Sequence, residues 1–236
     1  MFHPLLWVLL LLYGSSEWAV FRKKKKAVTS EATVSKKKLA ITPIFAFTVI
    51  IILISAVANG FIKDGITTWV PSILKEEFGV APSLSIIITL ILPVISISGA
   101  SVVKVLHKKH KDENVLNGIF YFTAIVLAGL IILTLNLRSV PLTLALFAAT
   151  ACTMAAINNV ITSIVPLYSR DKIDSGLSAG LLNTFCYVGS TMSTSLLGKI
   201  ADTKGWNDVF VCILIFTIVA FSACLVSVVI KKKKKG

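Results

Sequence analysis

The chain has 236 residues, 56% of them hydrophobic and 15% charged, and a mean hydropathy of +0.87. Soluble globular domains carry about 25% charged residues, so this deficit excludes an ordinary water-soluble protein and points to a membrane. The net charge of +13 does not mark a nucleic-acid binder, because the basic residues bunch beside apolar runs and form no basic face interleaved with aromatics.

In chain order, residues 1–21 come first. The apolar run from Pro4 to Tyr13 is short, and Glu17 interrupts its continuation. A cleaved signal peptide opens with positive charge, whereas here the charge follows the apolar run. The segment is expected to be the surviving part of a transmembrane helix that begins further upstream, at the end of a missing N-terminal half. An uncleaved signal-anchor is the alternative. Residues 22–38 hold eight of the 24 basic residues among Ser, Thr and Ala, and read as a basic linker near the membrane surface.

Six charge-free runs follow, at 39–62, 78–103, 114–137, 139–169, 175–198 and 209–230. A bilayer core of about 30 Å needs about 20 apolar helical residues, so each run is long enough to cross. In lipid every backbone polar group must be satisfied within the segment, which makes these runs helices. The expected fold is all-α: a polytopic bundle of six helices over 39–230, with a Lys-rich tail at 231–236.

Orientation follows from the basic residues. If 22–38 is cytoplasmic, the alternation of loops puts 19 Lys and Arg residues on that side and 5 on the other. The positive-inside rule then places the linker and the C-terminus in the cytoplasm of a multi-pass cell-membrane protein.

No catalytic motif stands out: GxSxG, HExxH and a Walker loop are all missing, so an enzyme is not expected. The four cysteines lie inside apolar runs without CxxC spacing, which implies neither a metal nor another cofactor. What does recur is uncharged polar residues at helical spacing. Asn59, Lys63 and Thr67 share one helical face; Asn158 shares a face with Thr162, and Asn183 with Tyr187. Such faces point into the bundle or a wet cavity, or act as hydrogen-bonding glue between helices. Ser190, Thr194 and Gly198 form a small-residue stripe suited to close helix packing.

Lys63 and Asp64 pose the sharpest question. Counted from Leu39, Lys63 lies about 36 Å along a helix, already at the water side. On that register, however, Ile66, Trp69, Val70, Ile73 and Leu74 fall in an outside loop. Starting the buried part near Thr48 buries those residues and brings Lys63 to mid-depth, where a charge costs about 2.5–3.5 kcal/mol without a partner. Spacing leaves both registers open.

The stretch from Lys63 through Gly65, Trp69, Pro71, Leu74, Lys75 and Glu76 resembles the seventh helix of the organophosphate:phosphate antiporters of the major facilitator superfamily. The stretch from Ser178 through Asn183, Tyr187 and Ser190, ending at Gly205 and Trp206, is similar to their eleventh helix and the loop after it. The turn from Lys104 to Lys111 sits where a basic motif is usual, although its Gly and Asp-Arg are missing. Lys63 stands where those transporters often use arginine, and Asp64 has no clear counterpart.

This resemblance favours the mid-membrane register and implies a C-terminal half of an alternating-access transporter. The implied substrate is a small organic anion, expected to be a phosphorylated metabolite. Lys63 would bind its headgroup, with Asn59, Asn158, Asn183 and Tyr187 lining the cavity and Asp64 as a possible proton-coupling group. The implied partners are the bilayer and a separate N-terminal half or a second copy. Two alternatives are a proton-coupled carrier of a monocarboxylate or other small molecule, and a non-transporting sensor or inert remnant.

Overall fold

A computed structural model of the protein describes residues 43–171 and 173–233. The expected helix within 1–21 and the linker at 22–38 lie outside the described residues. Among the described residues every regular element is a helix. In chain order these are α1 (Pro43–Phe78), α2 (Pro82–Thr89), α3 (Ile91–Ser96), α4 (Ser98–Lys109), α5 (Glu113–Asn136) and α6 (Val140–Asn159). A π-helical turn (Val160–Ile164) leads into α7 (Val165–Tyr168), followed by α8 (Ser175–Lys204) and α9 (Trp206–Lys233).

Five stretches are long and apolar enough to cross a membrane: Phe47–Phe78, Pro82–Lys109, Glu113–Asn136, Val140–Tyr168 and Trp206–Ile230. They identify a multi-pass membrane protein. The sixth expected span, 175–198, lies within a helix of 30 residues, α8, which is not among those five. Its Ser, Thr, Gly and Asn content keeps it more polar than the rest. The large exposed side chains suit hydrocarbon: Ile86, Ile87, Leu90, Ile91 and Val94 are each more than half exposed.

Helix α1 is the axis of the bundle, and α8 runs along one side of it. Ser55 ties α1 to α5, because the Tyr121 hydroxyl donates to the Ser55 carbonyl at 2.7 Å and accepts from its Oγ at 3.1 Å. Phe61 stacks on Phe216 of α9 with ring centroids 4.0 Å apart. Phe147 of α6 meets Phe210 of α9 at 5.9 Å.

Two features of α1 depart from the charge-free run that announced it. The helix does not stop at Ile62 but continues 16 residues further, to Phe78. Ile66, Val70, Ile73 and Leu74 in that extension are 0–3% exposed, so they belong to the core and not to a loop. The stop comes at Gly79, whose φ of +66° admits glycine readily and whose N–H caps the Lys75 carbonyl at 3.1 Å. At the far end of the chain, α9 likewise runs on into the lysine tail, through Lys233.

The second span is interrupted twice, at Leu90 and at Ile97. Pro93 explains the first break, because its ring collides with the carbonyl four residues back. The second coincides with Ser96 and Ser98, whose hydroxyls donate to the carbonyls of Pro93 and Ile95 at 2.7 and 2.6 Å. Such local bonds compete with the helical ladder.

Candidate functional site

A cavity of about 300 Å³ opens between α1, α3 and α6. Lys63 and Thr67 of α1 form one wall, Leu92, Pro93 and Ser96 of α3 a second, and Asn158, Asn159 and Thr162 a third. The volume is at the low end of small-molecule sites, which span about 300–1,000 Å³.

Lys63 is the cation among the lining residues. It sits 20 residues into α1, with helix continuing for 15 residues beyond it. Its ammonium lies 3.4 Å from Asp64 Oδ1, with side chains 37% and 27% exposed. That separation exceeds the roughly 2.7–2.9 Å of a charge-assisted hydrogen bond. Neighbouring residues on a helix point about 100° apart, so Lys63 must lean sideways to reach its partner. Asp64 itself is not among the lining residues.

The polar groups around Lys63 divide by what their protons already do. Thr67 donates to the Lys63 carbonyl at 2.9 Å, Thr162 to the Asn158 carbonyl at 2.8 Å, and Ser96 to that of Pro93. These three hydroxyls therefore offer the cavity lone pairs. Asn59 is fully buried and donates through Nδ2 to Asn158 Oδ1 at 3.1 Å, while its own Oδ1 is buried without a donor. The Asn158 oxygen is thus occupied and its amide N–H₂ remains as a donor. Lys63 with Asn158 and Asn159 makes a small set of donors against an apolar floor of Leu92, Ala151 and Ala155.

The π-turn shapes this third wall. Pro166 has no N–H for the Thr162 carbonyl, and its ring would strike that carbonyl in a regular helix. The backbone widens over Val160–Ile164, directly after the two asparagines. π-bulges of this kind recur at functional sites.

Of the residues expected to form a site, Lys63 and Asn158 line this cavity, whereas Asn59 does not line it but is buried and hydrogen-bonded to Asn158. Asn183 and Tyr187 lie elsewhere, on the exposed face of α8, with Tyr187 63% exposed. The wall supplied by α3 was not foreseen. Its signal in the sequence was Pro93 followed by Ser96 and Ser98 inside an otherwise apolar run. Of the close-packing stripe expected on α8, Gly198 is buried against Trp69 of α1, while Ser190 and Thr194 are half-buried beside the buried Gly189, Ser193 and Leu197.

Comparison with known proteins adds no family: no family model matches the chain, and no curated protein matches it significantly.

Proposed function

We propose that the chain is the C-terminal half of a membrane transporter of the major facilitator type. It would bind a small organic anion, a phosphorylated metabolite by preference, at Lys63. The observation that carries this reading is a lysine in the interior of a 36-residue apolar helix, facing a cavity of about 300 Å³ with two asparagines opposite. A lysine there costs several kcal/mol unless an anion or water meets it, so intramembrane cations mark substrate paths. A point charge with rotatable donors suits phosphate or carboxylate. The broken second span and the π-turn supply irregular backbone where it borders a cavity, as transporter sites do. Asn183 and Tyr187 lie outside that cavity, on an α8 face that also exposes Thr184 and Thr191. That polar face is a poor lipid surface and suits a second helical body, such as the other half of the transporter or another copy. In this reading the lysine-rich face of the membrane is cytoplasmic.

Asp64, 3.4 Å from Lys63, supports a second reading in which a monocarboxylate enters with a proton. The carboxylate competes with the anion for the ammonium, and protonation releases Lys63. The two readings separate in one experiment on the full chain in lipid nanodiscs. Binding of glycerol 3-phosphate and of lactate is followed by calorimetry with proton uptake recorded. Tight glycerol 3-phosphate binding that Lys63→Ala abolishes supports the first reading; lactate binding with one proton taken up, lost in Asp64→Asn, supports the second. Binding of neither ligand overturns both. In a cysteine-free background, labelling of Lys63→Cys by a water-soluble thiol reagent would place the residue in a wet cavity.

A further inference from the structure

Asn59 belongs to the Lys63 site without lining it. It is 0% exposed on α1, one turn before Lys63, while Asn158 forms part of the cavity wall. Its Nδ2 donates to Asn158 Oδ1 at 3.1 Å. The position is a firm one, because Gly60, the next residue, lies directly against the backbone of α8 and leaves α1 little room to turn. Asn158 is held less firmly by its own helix, since the widened π-turn begins two residues after it.

That bond decides which end of the Asn158 amide meets the cavity. A primary amide carries an acceptor oxygen on one side and two donor protons on the other. Left free beside a lysine ammonium, it would turn its oxygen toward the charge, occupying Lys63 and repelling an incoming anion. Held by Asn59, the oxygen is engaged and the N–H₂ group is left for the cavity. Burial makes this arrangement one-sided. In the observed orientation the unmet group is the Asn59 oxygen. If both amides flipped, Asn59 would instead bury an N–H₂ group without an acceptor, and orphaned buried N–H groups are rarer in proteins than orphaned carbonyls.

We infer that Asn59 is a positioning residue for anion selectivity: by holding the Asn158 oxygen it keeps that oxygen off the Lys63 ammonium and turns the N–H₂ group toward the substrate. This rests on the reading of the cavity as an anion site. Asn59 acts through Asn158 and touches no substrate itself. Its removal therefore matters to binding only while residue 158 carries an amide. Asn159, the neighbouring wall residue, contributes independently.

The test is a double-mutant cycle on the full chain in lipid nanodiscs, with glycerol 3-phosphate binding followed by calorimetry. Asn59→Leu is expected to weaken binding about tenfold, the worth of one hydrogen bond to a charged group. Asn158→Leu should weaken it by a similar factor, and the two together by no more than either alone. Asn59→Leu combined with Asn159→Leu should instead multiply the two losses. Unchanged affinity in Asn59→Leu, or losses that multiply between Asn59→Leu and Asn158→Leu, overturns the inference and leaves Asn59 a packing residue. Binding that Lys63→Ala abolishes but Asn59→Leu does not touch overturns this inference alone. No binding by the parent chain overturns the anion reading, and this inference with it. If Asn59→Leu no longer melts cooperatively, Asn59→Ser replaces it. A serine hydroxyl there donates to the carbonyl one turn back, as those of Thr67 and Thr162 do, so the same loss and the same cycle are expected.

Discussion

Gly60 of α1 and Gly189 of α8 pack reciprocally, each against the backbone of the other's helix. A methyl group on Gly60 would overlap the carbonyl oxygen of Cys186, and one on Gly189 the carbonyl oxygen of Val57. No side chain lies between the helices at this point, so nothing flexible can give way. Close approach through small residues is how helices associate without a hydrophobic driving force.

Gly60→Ala and Gly189→Ala are therefore expected to destabilise the bundle strongly, at or above the roughly 1–3 kcal/mol usual for overpacking. Thermal melting of the purified chain checks this, with Gly129→Ala as the comparison, because a methyl group there meets open space. Equal melting temperatures for all three would refute the close contact.

Arg138 links α5 to α6 with φ at +51°, in the left-handed region, although it carries a side chain. That conformation costs a non-glycine residue about 1–2 kcal/mol. Arg138→Gly should raise the melting temperature, by less than that cost implies because glycine also loosens the unfolded chain.

Tyr121 and Ser55 lock α5 to α1 through a buried pair of hydrogen bonds. Tyr121→Phe is expected to cost about 0.6 kcal/mol, and not more than about 1.7, as polar contacts between membrane helices do. Ser55→Ala should cost less, because the tyrosine keeps its backbone acceptor. Denaturation in mixed micelles would reveal the order, and a larger loss for Ser55→Ala would contradict the geometry.

Trp206 at the start of α9 donates its indole N–H to Glu76 at 2.9 Å, near the end of α1, and its ring meets Trp69 at 5.9 Å. Glu76 is exposed, which keeps the bond's worth to about 1 kcal/mol. Trp206→Phe should lose that amount together with some packing, whereas Glu76→Gln, which retains an acceptor, should lose less. Indole fluorescence would shift in the first case as the Trp69 environment opens.

Part of this molecule was legible from residue order. The unbroken apolar runs announced helices, since only helices satisfy a backbone in hydrocarbon, and Asn59 and Lys63 at four-residue spacing announced a shared face. The end of α1 was less legible. Two charged residues after an apolar run look like a helix terminus, and only the packing of Ile66, Val70, Ile73 and Leu74 shows that the helix continues. That Asn183 and Tyr187 lie on the exposed face of α8 and not beside Lys63 was illegible for a related reason. Periodicity says which residues share a face, but not which neighbour that face meets.

Composition and run length by themselves determined that this is a helical, multi-pass membrane protein, because the solvent sets those requirements residue by residue. Tertiary structure alone decided that α3 walls the cavity beside Lys63, that Asn158 receives Asn59, and that Gly189 meets the backbone of α1. Those are outcomes of how helices rotate about their own axes as they pack. That rotation is set by shape across residues as far apart in the chain as Asn59 and Asn158, and no local pattern carries it.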